Sequence, residues 1–318
     1  MKKALRRIWL MWVGLTLLVA CTAVPPTPTP TPRPGDDPLP TDTPAPATAT
    51  PVPLAALVNG EPITLDEYER QVSRYEASMA LSGQDPDTAE GQAELLQGRE
   101  WVLNFMIEQR LIEQAARDIG VSASDAEVDA AIASMREDIG EEAFQQWLTN
   151  EQMTLDDMRE QLRNDMMATK MANQVAEAVP TVTEHIHARH ILVRTEEEAR
   201  QILGRLQAGA DFVALAQSYS QDSSTASVGG SLDYFPRGVL TSQEVEDAAF
   251  ALAPGQVSDV VRSTLGYHII QVVDRVPEME VEAENLRLLR DKAVREWLEN
   301  LRDNAQIERF VFAADAAE

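Results

Sequence analysis

The chain holds one cysteine in 318 residues, and that scarcity excludes much chemistry. Cys21 has no second cysteine to pair with, so no intrachain disulfide forms, and the rest of the chain offers neither a thiolate nucleophile nor a thiolate metal ligand. Histidine is almost as scarce, at four residues. Three of them, His185, His187 and His190, share one strand-like run in which alternation points the first two away from the third, leaving little from which to build a metal site; none is expected. Positive charge is also short. There are 27 Lys and Arg against 52 Asp and Glu, for a formal net charge of −25, so no nucleic acid partner is expected, and the acidic surface reads as a solvated, self-repelling coat. Long apolar runs are missing too: the stretch from Ile8 to Ala20 falls short of the roughly 20 residues that a membrane-spanning helix needs.

That short run follows Lys2, Lys3, Arg6 and Arg7, the layout of a secretory signal over residues 1–20. Leu18-Val19-Ala20-Cys21 resembles a bacterial lipoprotein processing site, a likeness that implies lipid modification of Cys21 and an extracytoplasmic place on the cell membrane, within the bacterial cell envelope. The alternative is an ordinary cleaved signal with an incidental cysteine. Cleavage removes four positive charges and takes the net charge from −25 to −29. Residues 21–53 then carry 12 of the 18 prolines, interleaved with threonine. Such a segment forms no core; in polyproline geometry it extends about 3.1 Å per residue and reaches on the order of 100 Å. It reads as a stalk, with a ligand for a proline-reading domain as the other possibility. About 265 residues remain, enough for two cores.

The first of these regions, 54–180, is mainly helical. Val58-Asn59-Gly60-Glu61-Pro62-Ile63 predicts two short strands about an Asn-Gly turn, and Thr64-Leu65-Asp66-Glu67 a capping box that opens a helix. Further helices are predicted over 89–119, 124–137, 141–148 and 154–179, the last closed by Pro180. Leu103, Phe105, Ile107, Leu111 and Ile112 form a broad apolar stripe in the longest. Met158, Met166, Met167 and Met171 enrich the last, either as core filler or as an adaptable surface for unfolded chains. Another helix, 281–304, has no partner of its own.

Between these helical segments lie two histidine-centred strands, His187-Ala188-Arg189-His190-Ile191-Leu192-Val193 and Gly266-Tyr267-His268-Ile269-Ile270-Gln271-Val272. Asp211-Phe212-Val213-Ala214-Leu215-Ala216, a turn-rich run from Ser220 to Gly230, and Phe250-Ala251-Leu252-Ala253-Pro254-Gly255 separate them. Local signals predict a strand over 188–193, helices over 195–207, 212–219 and 243–252, and strands over 257–261 and 267–273. This order of motifs resembles the parvulin-type peptidyl-prolyl isomerases over about ninety residues, and the strand and helix that begin at Val58 are similar to the start of the chaperone domain in SurA-type and PrsA-type extracytoplasmic foldases. The resemblance implies an α+β architecture: a small antiparallel-sheet isomerase domain, 184–277, inserted in a mainly α-helical unit that residues 278–318 complete by packing back on 54–180.

It also implies site residues. His190 and His268 would be paired histidines on adjacent central strands, with Asp222 facing the target carbonyl and Ser263 in the same hydrogen-bond network. Leu232, Leu240, Val245 and Phe250 would line a proline pocket. Their alternatives are satisfied core histidines and, for Asp222, a residue that only closes an Asx-turn. Rotating an X–Pro bond breaks no covalent bond, so no cofactor is implied. The site has to grip proline and favour the twisted amide, by about 4–8 kcal/mol for a thousandfold to millionfold acceleration. Two departures from the family pattern stand out. Asp233 replaces a glycine in Gly229-Gly230-Ser231-Leu232-Asp233, and Leu240 and Val245 replace larger pocket residues. The expected function is a membrane-tethered isomerase and chaperone acting on unfolded or nascent secreted polypeptides with Xaa-Pro bonds; the alternative is a non-catalytic peptide-binding holdase with a degenerate parvulin domain. The anchor is tested by Cys21→Ser, which should move the protein from the membrane fraction to the soluble fraction on cell fractionation with its folded body intact. Unchanged membrane association contradicts the lipoprotein reading.

Overall fold

A computed structural model describes residues 52–81, 88–151 and 153–312. The expected signal, Cys21, nearly all of the proline-rich segment and the last six residues lie outside the described residues.

The chain opens with strands β1 (Leu54–Val58) and β2 (Glu61–Thr64). Asn59 and Gly60, both at positive φ (51° and 82°), make the tight turn between them, the geometry for which an Asn-Gly pair is selected. Thr64 and Glu67 exchange the two capping-box hydrogen bonds and start α1 (Leu65–Leu81). Helices α2 (Ala89–Asp118), α3 (Asp125–Ile139), α4 (Glu141–Asn150) and α5 (Leu155–Glu177) follow. Two of them, α3 and α5, also begin in reciprocal capping boxes, at Ser124/Glu127 and Thr154/Asp157.

Leu103, Ile107, Leu111 and Ile112 of α2 are buried. Phe105 is not: it is 44% exposed and stacks on Trp101, itself 59% exposed. At about 100° of turn per residue Phe105 stands some 200° from Leu103, off the buried stripe in which the sequence pattern had included it. Met158, Met167 and Met171 of α5 are buried in two neighbouring helical cores, so these methionines serve packing rather than an open client-binding surface.

The second sheet comprises β3 (Val182–Val193), β4 (Ser231–Pro236), β5 (Val261–Ser263) and β6 (Gly266–Glu280) in the order β4-β3-β6-β5, all antiparallel. Its two faces hold different cores. Ile191, Val193 and Ile269 pack under α6 (Glu196–Gln207) and α7 (Phe212–Tyr219), while Ile186, Ala188 and Ile270 pack under α8 (Gln243–Ala251). The helices match the sequence reading closely; the strands depart from it. β3 begins well before residue 188, because register shifts near Thr183 and His187 interrupt the alternation by which a strand is recognised. Val257 makes only an isolated bridge to Gln271, and the paired strand begins at Val261. β4 was not foreseen.

After β6, helix α9 (Ala283–Asp303) returns to the helical unit. Trp297, Leu298 and Leu301 pack with Ile112 of α2 and Met167 and Met171 of α5. The chain then adds β7 (Ile307–Arg309) to the free edge of β1, where Asn59 and Gln306 exchange two further hydrogen bonds at 2.8 Å each. The four-stranded sheet is thus an insertion within a helical unit assembled from both ends of the described chain. Among the described residues no helix is long and apolar enough to cross a membrane.

Candidate active site

The site is built on the two central strands. His190 pairs in register with Ile270, and Leu192 with His268, so the two histidines are diagonal neighbours on one face of the sheet, within mutual reach. They follow Ala188 and precede Ile270 by two residues each, which puts both on the face covered by α8. Their rings stack at 5.4 Å between centroids, with Nδ1 facing Nδ1 at 3.3 Å. His268 is 1% exposed and His190 is buried.

Asp222 reaches them from the loop after α7. Gln221 N–H donates to the Leu192 carbonyl at 2.6 Å, and Leu192 N–H to Ser220 Oγ at 3.2 Å, which ties the loop to β3. One carboxylate oxygen of Asp222 lies 2.7 Å from His190 Nε2 and accepts from Thr225 Oγ1 at 2.7 Å; the other accepts from Ser224 N–H and Oγ at 3.0 and 2.5 Å. Asp222 therefore closes an Asx-turn and holds a histidine at once, so the two sequence readings of it are compatible. Burial opposes its ionisation, but the donors on Ser224, Thr225 and His190 outweigh that and keep the carboxyl well below the usual carboxylate range.

On the other side Ser263 Oγ sits 2.7 Å from His268 Nε2 and accepts from Leu265 N–H at 3.0 Å. The network has a direction. An ionised Asp222 only accepts, so His190 donates through Nε2–H. In a neutral His190, Nδ1 then accepts, so His268 donates through Nδ1–H, and His268 Nε2 accepts the Ser263 hydroxyl proton. In that state every donor points toward Asp222.

Of the residues expected to line a proline pocket, Val245 and Phe250 are buried in the core beneath α8, and Leu232 and Leu240 are half-buried against the same cluster. The structure thus gathers all four on the face that carries the histidines. Phe250 is held further: Arg275 donates to the Phe250 and Leu252 carbonyls at 2.8 Å each and pairs with Glu184 at 2.7 Å. Asp233 adopts φ 52°, a left-handed geometry that favours glycine and that Asp adopts more readily than most other residues. Gly230 is obligatory, since a Cβ there would lie 2.0 Å from the His190 carbonyl oxygen. Sequence reasoning missed Thr225 and Ser224; the Asp-Ser-Ser-Thr run, with hydroxyls two and three residues after an aspartate, carries the signal for them.

Two family models match the chain: a SurA-like N-terminal domain over residues 40–172 and a PPIC-type PPIASE domain over residues 185–274. Among curated relatives, foldase protein PrsA of Caldanaerobacter subterraneus subsp. tengcongensis is 32% identical over 278 residues, covering 81% of this chain and 87% of the relative. Foldase protein PrsA of Oceanobacillus iheyensis is 34% identical over 213 residues, covering 63% and 69%. A crystal structure of peptidylprolyl isomerase (PrsA) from Bacillus anthracis aligns at 29% identity over 63% of this chain and 94% of that one, with a TM-score of 0.41.

The network sets a pH dependence. Burial first, and the proximity of His190 second, pull the His268 pKa down from 6.5 to about 4, partly offset by Asp222 and Glu244. The unfolded chain takes up this proton near pH 6.5 and the folded chain only near pH 4. The contribution is therefore complete above pH 6.5 and lost as pH falls through about 4. It amounts to on the order of 3 kcal/mol. Asp222 acts in a separate window, below the ordinary carboxylate pKa. In denaturant unfolding between pH 7 and pH 4, wild type should lose more stability than His268→Gln by about that amount; parallel pH profiles contradict the account.

Proposed function

The chain belongs to the PrsA family of foldases, and from that premise we propose that the network of Ser263, His268, His190 and Asp222 is the active site of its PPIC-type peptidyl-prolyl cis-trans isomerase domain, acting on Xaa-Pro bonds in unfolded or nascent secreted polypeptides. The observation that carries this reading is the convergence of His190, His268 and Asp222 at hydrogen-bond distances on one face of the sheet. A planar prolyl amide resists rotation by about 18–20 kcal/mol because resonance moves electron density from nitrogen to oxygen. Twisting cancels that transfer. A fixed negative charge beside the carbonyl opposes the planar, charge-separated form more than the twisted one, and so lowers the barrier. Asp222 supplies that charge, and the donors on Ser224, Thr225 and His190 prevent it from moving or protonating. The two histidines hold Asp222 rather than transfer protons to substrate. The apolar cluster of Leu232, Leu240, Val245 and Phe250 receives the proline ring.

The helical unit, residues 54–180 with 278–312, acts as a chaperone platform around this domain. Cys21 carries the lipid anchor, and residues 21–53 serve as a stalk that holds the body away from the extracytoplasmic face of the membrane. Support for the anchor is the Leu-Val-Ala-Cys site behind a basic, apolar leader. A holdase reading gains weight from one observation, the smaller Leu240 and Val245 in the pocket positions.

Proline-limited isomerisation of Xaa-Pro peptides distinguishes the two. Wild type should accelerate it, and Asp222→Ala should lose about 10²–10³-fold in kcat/KM, the size seen when one fixed electrostatic group is removed from an active site. The thermal midpoint should fall as well, because Ser224, Thr225 and the buried His190 lose their acceptor, so the rates are compared well below it. An Asp222→Ala rate equal to wild type would falsify its assignment, and a wild type without activity on varied Xaa-Pro peptides puts the holdase reading first.

A further inference from the structure

Glu246 is 6% exposed, the one carboxylate that is buried among the described residues. It lies on α8, one position after the pocket residue Val245, and it forms no ion pair among the described residues. Its partners are three successive backbone amides. Gly238 N–H donates to Oε1 at 2.8 Å, and Val239 and Leu240 N–H donate to Oε2 at 3.1 Å each. A buried carboxylate is sustainable only when its oxygens are occupied by donors, and charge-assisted bonds of this kind are the strong ones. The dependence is mutual, because these three amides make no other hydrogen bond among the described residues.

Residues 237–242 join β4 to α8 and contain no regular element of their own. Their conformation therefore rests on their neighbours: α8 along the loop and, at Gly238, the Leu289 side chain of α9, 2.8 Å from where a Cβ would stand. Along the loop, Val239 and Leu240 are half-buried against the cluster of Val245, Ala249 and Phe250, so the three amides that Glu246 gathers fix where the Leu240 side chain stands. The neighbouring Arg237 reinforces the arrangement from outside: its guanidinium lies 4.2 Å from the Phe250 ring centroid and pairs with Asp247 at 3.0 Å.

We propose that Glu246 is a positioning residue for the isomerase reaction, its carboxylate holding residues 238–240 so that Leu240 forms the wall of the proline pocket. The inference rests on the reading of that cluster as the proline pocket. It assigns Glu246 to substrate binding and not to the electrostatic step, which belongs to Asp222 and the histidines.

The test uses the full chain with Glu246→Ala, Glu246→Gln, Leu240→Ala and the double variant Glu246→Ala/Leu240→Ala. Xaa-Pro isomerisation is measured with kcat and KM separated, alongside amide hydrogen exchange at Val239 and Leu240. Glu246→Ala should raise KM about tenfold, the order expected when one apolar contact in a pocket is lost, with kcat nearly unchanged and amide exchange accelerated at both positions. Glu246→Gln keeps one acceptor oxygen and should fall between Glu246→Ala and wild type. Leu240→Ala should raise KM by a similar factor, and the double variant should be no worse than the poorer single, since both act on one wall. A normal KM in folded Glu246→Ala beside a raised KM in Leu240→Ala overturns the proposal and leaves the pocket reading standing. A normal KM in Leu240→Ala overturns the pocket reading and this proposal with it. Should Glu246→Ala not fold, Glu246→Gln decides: raised KM with faster exchange at Val239 and Leu240 supports the proposal, and wild-type values for both overturn it.

Discussion

A carboxylate cannot donate a hydrogen bond, and the site depends on that constraint. With Asp222 ionised, His190 has to carry a proton on Nε2; with one proton on its ring, its Nδ1 accepts from His268, and His268 Nε2 accepts from Ser263. Four side chains from two strands, a loop and a hairpin edge are thereby locked into one arrangement. A histidine beside a histidine is an unfavourable pairing when both are charged. Here burial keeps His268 neutral down to about pH 4, so the two rings meet as a donor and an acceptor instead of two repelling cations.

The scaffold supplies this geometry through register. The diagonal contact exists because β3 and β6 pair over their whole length in the centre of the sheet, with a hydrophobic core on each face to prevent slippage. Gly230 lets β4 approach the His190 carbonyl closely enough to accept the His190 N–H at 2.8 Å, which fixes the histidine's backbone. The isomerase sheet hangs from a helical unit closed by residues far apart in sequence: α9 fills the space between α2 and α5, and β7 completes the sheet that β1 began. On the proposed reading, the same chain carries a site for rotating one bond and a helical platform on which a longer polypeptide is held.

Much of this was legible in the sequence because the signals are local. Thr64/Glu67 and Thr195/Glu198 announce helix starts through bonds made within four residues, and Asn59-Gly60 announces its turn through backbone preference alone. His190, His268, Asp222 and Ser263 were reached through the order of motifs, and the structure brings them together. What escaped depends on distant partners. β7 is three residues long and exists only because β1 offers an edge some 250 residues earlier. β4 is an edge strand that contains Asp233 in a left-handed conformation and ends at Pro236, so its pattern does not read as a strand. Glu246 sits in an acidic run with Glu244 and Asp247 and looks like any solvated helix face until the loop folds over it. The stripe on α2 failed at Phe105 for a simpler reason: apolar identity was counted where angular position decides.

The central claim is that the hydrogen bonds run one way, toward Asp222. Imidazole ¹⁵N chemical shifts and long-range ¹H–¹⁵N couplings of histidine-labelled protein at neutral pH report the protonated nitrogen of each ring directly. The account predicts a neutral His268 with its proton on Nδ1 and a His190 protonated on Nε2, with both tautomer signatures lost in Asp222→Ala. A His268 protonated on Nε2, or a His268 that is cationic at pH 7, would contradict it.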